Sequence, residues 1–131
     1  GHKLKTASDV MLTKNKIPFV NENLDMKNSL KILNKKKLGF LVIINDRRLN
    51  TGIFTDGDLK RIMQTNKFKN NLKIKKFMIK NPYLVEKNML VSDILHQMNK
   101  KKITNVCVYS KENKKKIIGV IHIHNLLKIV K

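Results

Sequence analysis

The chain has 131 residues and a formal net charge of +20, from 29 Lys and Arg against 9 Asp and Glu. Its hydrophobic fraction of 41% is too high for a disordered tail, and no apolar run approaches the ~20 residues needed to span a bilayer. The length permits one sizeable core, or two small ones that lean on each other.

Gly1-His2-Lys3-Leu4 has no apolar run after its charges, so a signal peptide is not expected. The single cysteine, Cys107, lies in an apolar strand-like run. It has no partner to oxidise with, which fits an inert buried thiol in a reducing cytoplasm. The charge by itself would suggest nucleic acid or another anionic surface. However, arginine occurs only at Arg47, Arg48 and Arg61, whereas planar recognition of phosphates and bases favours Arg. The heavy use of Lys, Asn and Ile matches what A/T-rich codons supply, so coding bias is the preferred source of the charge over selected polyanion binding.

In chain order, a lead-in Ala7-Ser8-Asp9-Val10-Met11 precedes the short extended segment Ile17-Pro18-Phe19-Val20, with Pro18 at a strand edge. Asp25 or Asn23 can cap a helix whose apolar face is Met26, Leu30, Leu33 and Leu38. The basic end Lys35-Lys36-Lys37 and then Gly39 stop it. Phe40 to Ile44 is continuously apolar and is expected to be a strand buried on both faces. Asn45 to Arg48 is a turn, Leu49 to Phe54 a returning strand, and Asp58 to Gln64 a second helix.

The same order then returns. Ile74 to Met78 is a lead-in and Asn81 to Val85 an edge segment. Ser92 or Asn88 starts a helix with Leu90, Ile94, Leu95 and Met98 on one face, ended by Lys100-Lys101-Lys102. Val106 to Tyr109 is the central strand, Ser110 to Lys116 a hairpin, Ile117 to Ile121 the returning strand, and Asn125 to Val130 the closing helix. Most telling, Gly52-Ile53-Phe54-Thr55-Asp56-Gly57-Asp58-Leu59 reappears altered as Gly119-Val120-Ile121-His122-Ile123-His124-Asn125-Leu126. The offset is 67 residues between Gly52 and Gly119 but 64 between Pro18 and Pro82. A constant order with a drifting offset implies duplication with small loop changes. The expected division is residues 1–73 and 74–131, each with its own lead-in. A unit of about 60 residues is marginal alone, so the copies are expected to pack through their sheets.

The repeated junction is a strand running into the first turn of a helix, where backbone N–H groups and short polar side chains can hold a phosphate or a ribose. That makes the chain a binding module. Its residues offer no nucleophile–base pair, paired carboxylates or metal cluster on which to rest an active site. His122 and His124 lack a Cys or acidic neighbour, and a metal pair is not expected there.

A lead-in ending in Met, an extended segment, a helix, the Leu38-Gly39-Phe40-Leu41-Val42 strand and Gly52 to Leu59 together resemble a tandem pair of cystathionine β-synthase (CBS) domains, over essentially the whole chain. Leu38-Gly39, Gly52 to Leu59, Lys102 to Val106 and Gly119 to Leu126 are similar, more narrowly, to the C-terminal CBS pair of bacterial arabinose 5-phosphate isomerases. The resemblance implies an α/β (α+β) fold of two βαββα repeats related by pseudo-two-fold symmetry, with a nucleotide in the cleft between copies. It implies homodimerisation into a flat disc and an upstream sugar isomerase domain that does the chemistry of Kdo and lipopolysaccharide synthesis. Gly1 to Leu4 resembles the stretch connecting to that domain, so the chain reads as an excised regulatory region, not itself catalytic. No cofactor is required; CMP-Kdo, CMP or an adenosine nucleotide is the implied ligand. A purely structural oligomerisation module is the alternative, and a nucleic-acid binder a more distant one.

The family pattern maps ribose-phosphate contacts to Gly52, Thr55 and Asp58. The plainer reading is that Thr55 caps the helix and Asp58 stabilises its positive end. In the second copy His122 replaces the hydroxyl and Asn125 the carboxylate, which departs from the pattern. His122 and His124 alternate with Ile121 and Ile123, which puts both on one side if the strand persists and suits a phosphate-facing or cap-forming histidine; Thr104 matches the family's other polar contact position, where the first copy has Gly39. Met11 and Met78 are expected to be lids or core fillers.

Overall fold

A computed structural model of the protein describes residues 4–129. The elements in order are α1 (Ala7–Val10), β1 (Phe19–Asn21), α2 (Met26–Lys36), β2 (Phe40–Ile44), β3 (Asn50–Thr55), α3 (Asp56–Met63), β4 (Leu84–Glu86), α4 (Val91–Lys101), β5 (Asn105–Ser110), β6 (Asn113–His122) and α5 (Ile123–Leu127). Single turns of 3-10 helix lie at Lys14–Lys16 and Ile74–Lys76. The repeated βαββα order is present in both halves.

The chain forms two compact units, one of Pro18–Pro82 and one that joins the segment up to Ile17 to everything from Tyr83 onward. These spatial units are a different division of the chain from the sequence repeats, because each lead-in is taken up by the other repeat's unit.

In the Pro18–Pro82 unit the sheet order is β1-β2-β3, with β1 and β2 parallel and β2 and β3 antiparallel. Asp25 caps α2, its side chain accepting from Asn28 N–H at 2.8 Å. One face of β2 sends Leu41 and Ile43 into a core with Val20, Met26, Leu33, Phe54 and Ile74. The other face carries Phe40, Val42 and Ile44, which are buried as well, as the continuous apolar run requires. A bulge between Ile43 and Ile44 is stapled by buried Asn50, whose Nδ2 donates to the carbonyls of Ile43 at 2.9 Å and Gly52 at 2.8 Å. The lead-in returns here: Ile74 N–H donates to Leu24 O, and Ile53 and Ile79 exchange both backbone bonds.

The other unit repeats the plan with β4-β5-β6 and a core of Val85, Val91, Ile94, Met98, Val106, Val108, Ile121, Leu126 and Ala7. Here the chain's first lead-in does the stitching. Ala7 N–H donates to Met89 O, and Leu12 and Val120 exchange both bonds.

Several boundaries differ from the expected ones. The left-handed residues that close α2 and α4 are Lys37 (φ 58°) and Lys102 (φ 57°), with Gly39 (φ 76°) a separate positive-φ residue two positions later. Neither Ser92 nor Asn88 caps α4: its N-cap is Leu90, without a side-chain bond. Helix α3 starts two residues before Asp58, because Thr55 is the cap. Strand β6 reaches back to Asn113, absorbing most of the expected hairpin. The closing helix runs Ile123–Leu127; Val130, like Gly1, His2 and Lys3, lies outside the described residues.

Candidate functional site

Each unit has one strand-to-helix corner carrying the predicted polar residues. In the Pro18–Pro82 unit, β3 ends at Thr55 and α3 begins at once. Thr55 has extended backbone (φ −116°, ψ 163°), the geometry of an N-cap. Its Oγ1 accepts from Asp58 N–H at 3.1 Å, and Asp58 Oδ2 accepts from Thr55 N–H at 2.9 Å. This is a capping box built on Asp in place of Glu. The other carboxylate oxygen, Oδ1, pairs with Arg61 one turn along. Asp58 is therefore nearly buried, at 7% exposure, with both oxygens engaged within its own helix turn. The plainer sequence reading of Thr55 and Asp58 is thus physically present.

Gly52 lies three residues before Thr55 under the returning lead-in. A Cβ there would stand 2.5 Å from Ile79 O and 2.9 Å from Met78 Sδ. Gly119 stands in the same relation to Met11. Both glycines are needed for a strand to pass closely over β3 or β6, and Met11 and Met78 each cover the glycine of the unit they join.

In the second unit the corner runs from β6 into α5 with His122 as N-cap (φ −95°, ψ 142°). His122 Nδ1 accepts from His124 N–H at 3.1 Å, and Asn125 Oδ1 accepts from His122 N–H at 3.3 Å. The amide thus replaces the carboxylate with the same bond to the cap N–H, while the imidazole takes the second helical N–H where the Thr55 hydroxyl takes the third. The two histidine rings meet edge-on, centroids 4.6 Å apart. Burial, and then the charge of His124, push His122 below the ordinary imidazole range. An Nδ1 that accepts a hydrogen bond fixes the neutral Nε2–H tautomer.

Thr104 is exposed at the start of β5, and its carbonyl accepts from Ile123 N–H at 2.8 Å. Gly39 does the same for Asp56 N–H at 2.9 Å, so the two positions are structural equivalents, as the sequence alignment of the copies implied. The structure brings Thr104, His122, His124 and Asn125 to one corner, and Gly52, Thr55 and Asp58 to the other strand-to-helix stretch. Sequence reasoning missed two residues. Arg61, three positions after Asp58, was legible as an i,i+3 ion pair. Asn105, opposite His122 across the ladder, was not, because it reads as an ordinary strand-start residue. Among the described residues no group of three or more His, Cys, Asp or Glu could hold a metal.

The CBS domain family profile matches residues 7–65 and 74–131. Arabinose 5-phosphate isomerase KdsD of Yersinia pestis is 35% identical over 121 residues, 92% of this chain and 36% of that protein. The KdsD of Escherichia coli K12 is 33% identical over 129 residues, 98% of this chain and 38% of that protein. The chain therefore spans little more than a third of these relatives. Among solved structures, the CBS domain pair of protein MJ0100 in complex with 5′-methylthioadenosine and S-adenosyl-L-methionine superposes with a TM-score of 0.84 at 19% identity, over 97% of this chain and 96% of that one. CBSX2 in complex with AMP gives 0.78 at 20% identity, over 95% and 94%. Two profile matches on two βαββα halves leave one conclusion: the chain belongs to the CBS domain family and carries a pair of its domains.

Proposed function

We propose that the chain is a regulatory nucleotide- or nucleotide-sugar-binding module. In this reading it serves a cytoplasmic, homodimeric arabinose 5-phosphate isomerase of Kdo and lipopolysaccharide synthesis, whose separate sugar isomerase domain does the catalysis. The observation that carries it is the recurrence of a polar strand-to-helix corner at the equivalent place in both units. The fold containing those corners has solved relatives that hold adenosine compounds. Thr55 and Asp58 contact ligand at one corner, with Gly52 letting the chain close over it. Thr104, His122, His124 and Asn125 contact it at the other. A carboxylate suits a ribose diol and an exposed hydroxyl suits phosphate. The second corner lacks a carboxylate and holds a diol less firmly.

Regulation needs a ligand that binds two conformations unequally. The test is a thermal-denaturation panel of CMP-Kdo, CMP, AMP and ATP. One of them should stabilise the chain, by about 2.7 kcal/mol at a hundred times its Kd. Asp58→Asn keeps an oxygen for Thr55 N–H, so it should keep the fold and lose most of the response. A chain that no nucleotide stabilises would instead be a structural oligomerisation module.

A further inference from the structure

The corner of the second unit contains a feature its counterpart lacks. Asn105 is buried at 9% exposure; its Nδ2 donates to Thr104 Oγ1 at 3.2 Å, and its Oδ1 has no hydrogen-bond partner. Leaving a buried amide oxygen unpaired is costly, and native structures keep such groups rarely. Asn105 pairs with His122 in the antiparallel register, as Phe40 pairs with Thr55 in the other unit. Directly opposed residues share a face of the sheet, with Cβ atoms about 4.5–5.5 Å apart. The unpaired oxygen thus lies within a side-chain rotation of the imidazole.

His122 holds α5 only while neutral, because a protonated Nδ1 has no lone pair left to accept from His124 N–H. An imidazolium has two N–H donors to satisfy. We propose that His122 and Asn105 form a proton-operated exchange of partners. Neutral, His122 caps α5 through Nδ1; on taking a proton from solvent, it releases the His124 amide and donates to Asn105 Oδ1.

The charged surroundings are simple. Strand β5 presents neutral Asn105, and neutral Thr104 precedes it. On α5, His124 is the titratable neighbour, and its charge disfavours a second one on His122. Helix α4, which packs on α5, carries Asp93, His96, Lys100 and Lys101. Helix α1, which packs on β6, carries Asp9, whose Oδ2 accepts from Thr6 N–H at 2.9 Å. Burial sets the direction of the His122 shift and His124 adds to it, so the exchange belongs to the pH range below the ordinary imidazole value. The other unit, with Thr55 and Phe40 at these positions, is expected not to respond. The exchange stands whether or not a ligand binds. Where one does, His124 and Asn125, both bonded to His122, move with it.

The test is an NMR titration of the full chain from about pH 7.5 to 4.5, spanning the imidazole range. The ring signals of His122, the backbone amide of His124 and the side-chain carbonyl of Asn105 should move with one midpoint below the ordinary imidazole value. His122→Thr, which installs the first copy's cap, should abolish the Asn105 carbonyl shift while the fold stays. Asn105→Leu should keep the amide shift and lower the His122 midpoint by about half a unit, and Asn105→Asp should raise it. A His124 amide that stays still while His122 titrates overturns the proposal. So does an unmoved Asn105 carbonyl in the wild-type chain, a result that needs no variant to fold.

Discussion

Asp58 shows how one side chain can satisfy two readings. Its oxygens accept from Thr55 N–H and pair with Arg61, so Asp58→Ala removes a capping box and an ion pair together. Loss of a cap costs about 1 kcal/mol, and the pair, with Arg61 largely exposed, adds little. A drop in melting temperature without ligand is the expected outcome, and Thr55→Ala should give a similar one. The two strand glycines should respond differently to a methyl group. At Gly52 the obstacle is the backbone oxygen of Ile79, whereas at Gly119 it is only the side chain of Met11. Gly52→Ala should therefore destabilise by about 1–3 kcal/mol, and Met78→Ala should fail to rescue it. Met11→Ala should partly rescue Gly119→Ala, read out as a double-mutant cycle. Cys107 is fully buried, which pushes its thiol up to about 12. A thiol reagent at neutral pH should label it only as fast as the protein unfolds. His122 has the opposite dependence. Its folded-state value lies below the unfolded one, so its contribution is present above about pH 6.5 and is lost as pH falls.

At the level of elements, the amphipathic helices and apolar strands were legible because period and burial coincide. Phe40 to Ile44 reads as a strand buried on both faces and is one. What the pattern hid were choices made by backbone geometry. Gly39 attracted the helix stop because glycine favours positive φ, yet Lys37 and Lys102 occupy the left-handed position that ends each helix. A non-glycine residue there is strained by about 1 kcal/mol. Lys37→Gly and Lys102→Gly should accordingly raise the melting temperature. Helix α4 begins behind Leu90 with no side-chain cap, and no composition rule would choose Leu90 over Ser92. The staple made by Asn50 was also invisible, since a strand-edge Asn normally reads as turn. Asn50→Ala leaves the carbonyls of Ile43 and Gly52 without that donor. It should cost about 1–3 kcal/mol.

For the whole molecule, duplication was the legible fact and the exchange of lead-ins was not. Both segments look like the start of the repeat they precede. In space, however, Ile74 is fully buried in the Pro18–Pro82 core and Ala7 in the core of the other unit. Hydrophobic periodicity cannot say which of two similar cores a five-residue segment will join. A fragment of residues 18–82 should consequently show more cooperative melting by circular dichroism than one of residues 1–73, which lacks the segment from Ile74 to Ile79. The candidate corners were found because their residues sit at a strand-to-helix junction that repeats. Their inner workings, an Asp closed on its own turn and a His that accepts through Nδ1, required coordinates.

The stitching of Leu12 to Val120 also determines where force is delivered. A pull applied to the segment before Leu12 would reach the sheet of the second unit at Val120, two residues from His122, and not the repeat that follows it in the chain. The imidazole of His122 thus stands two residues from the point where the N-terminal segment is tied, by hydrogen bonds and not by the chain's own covalent path, into this sheet.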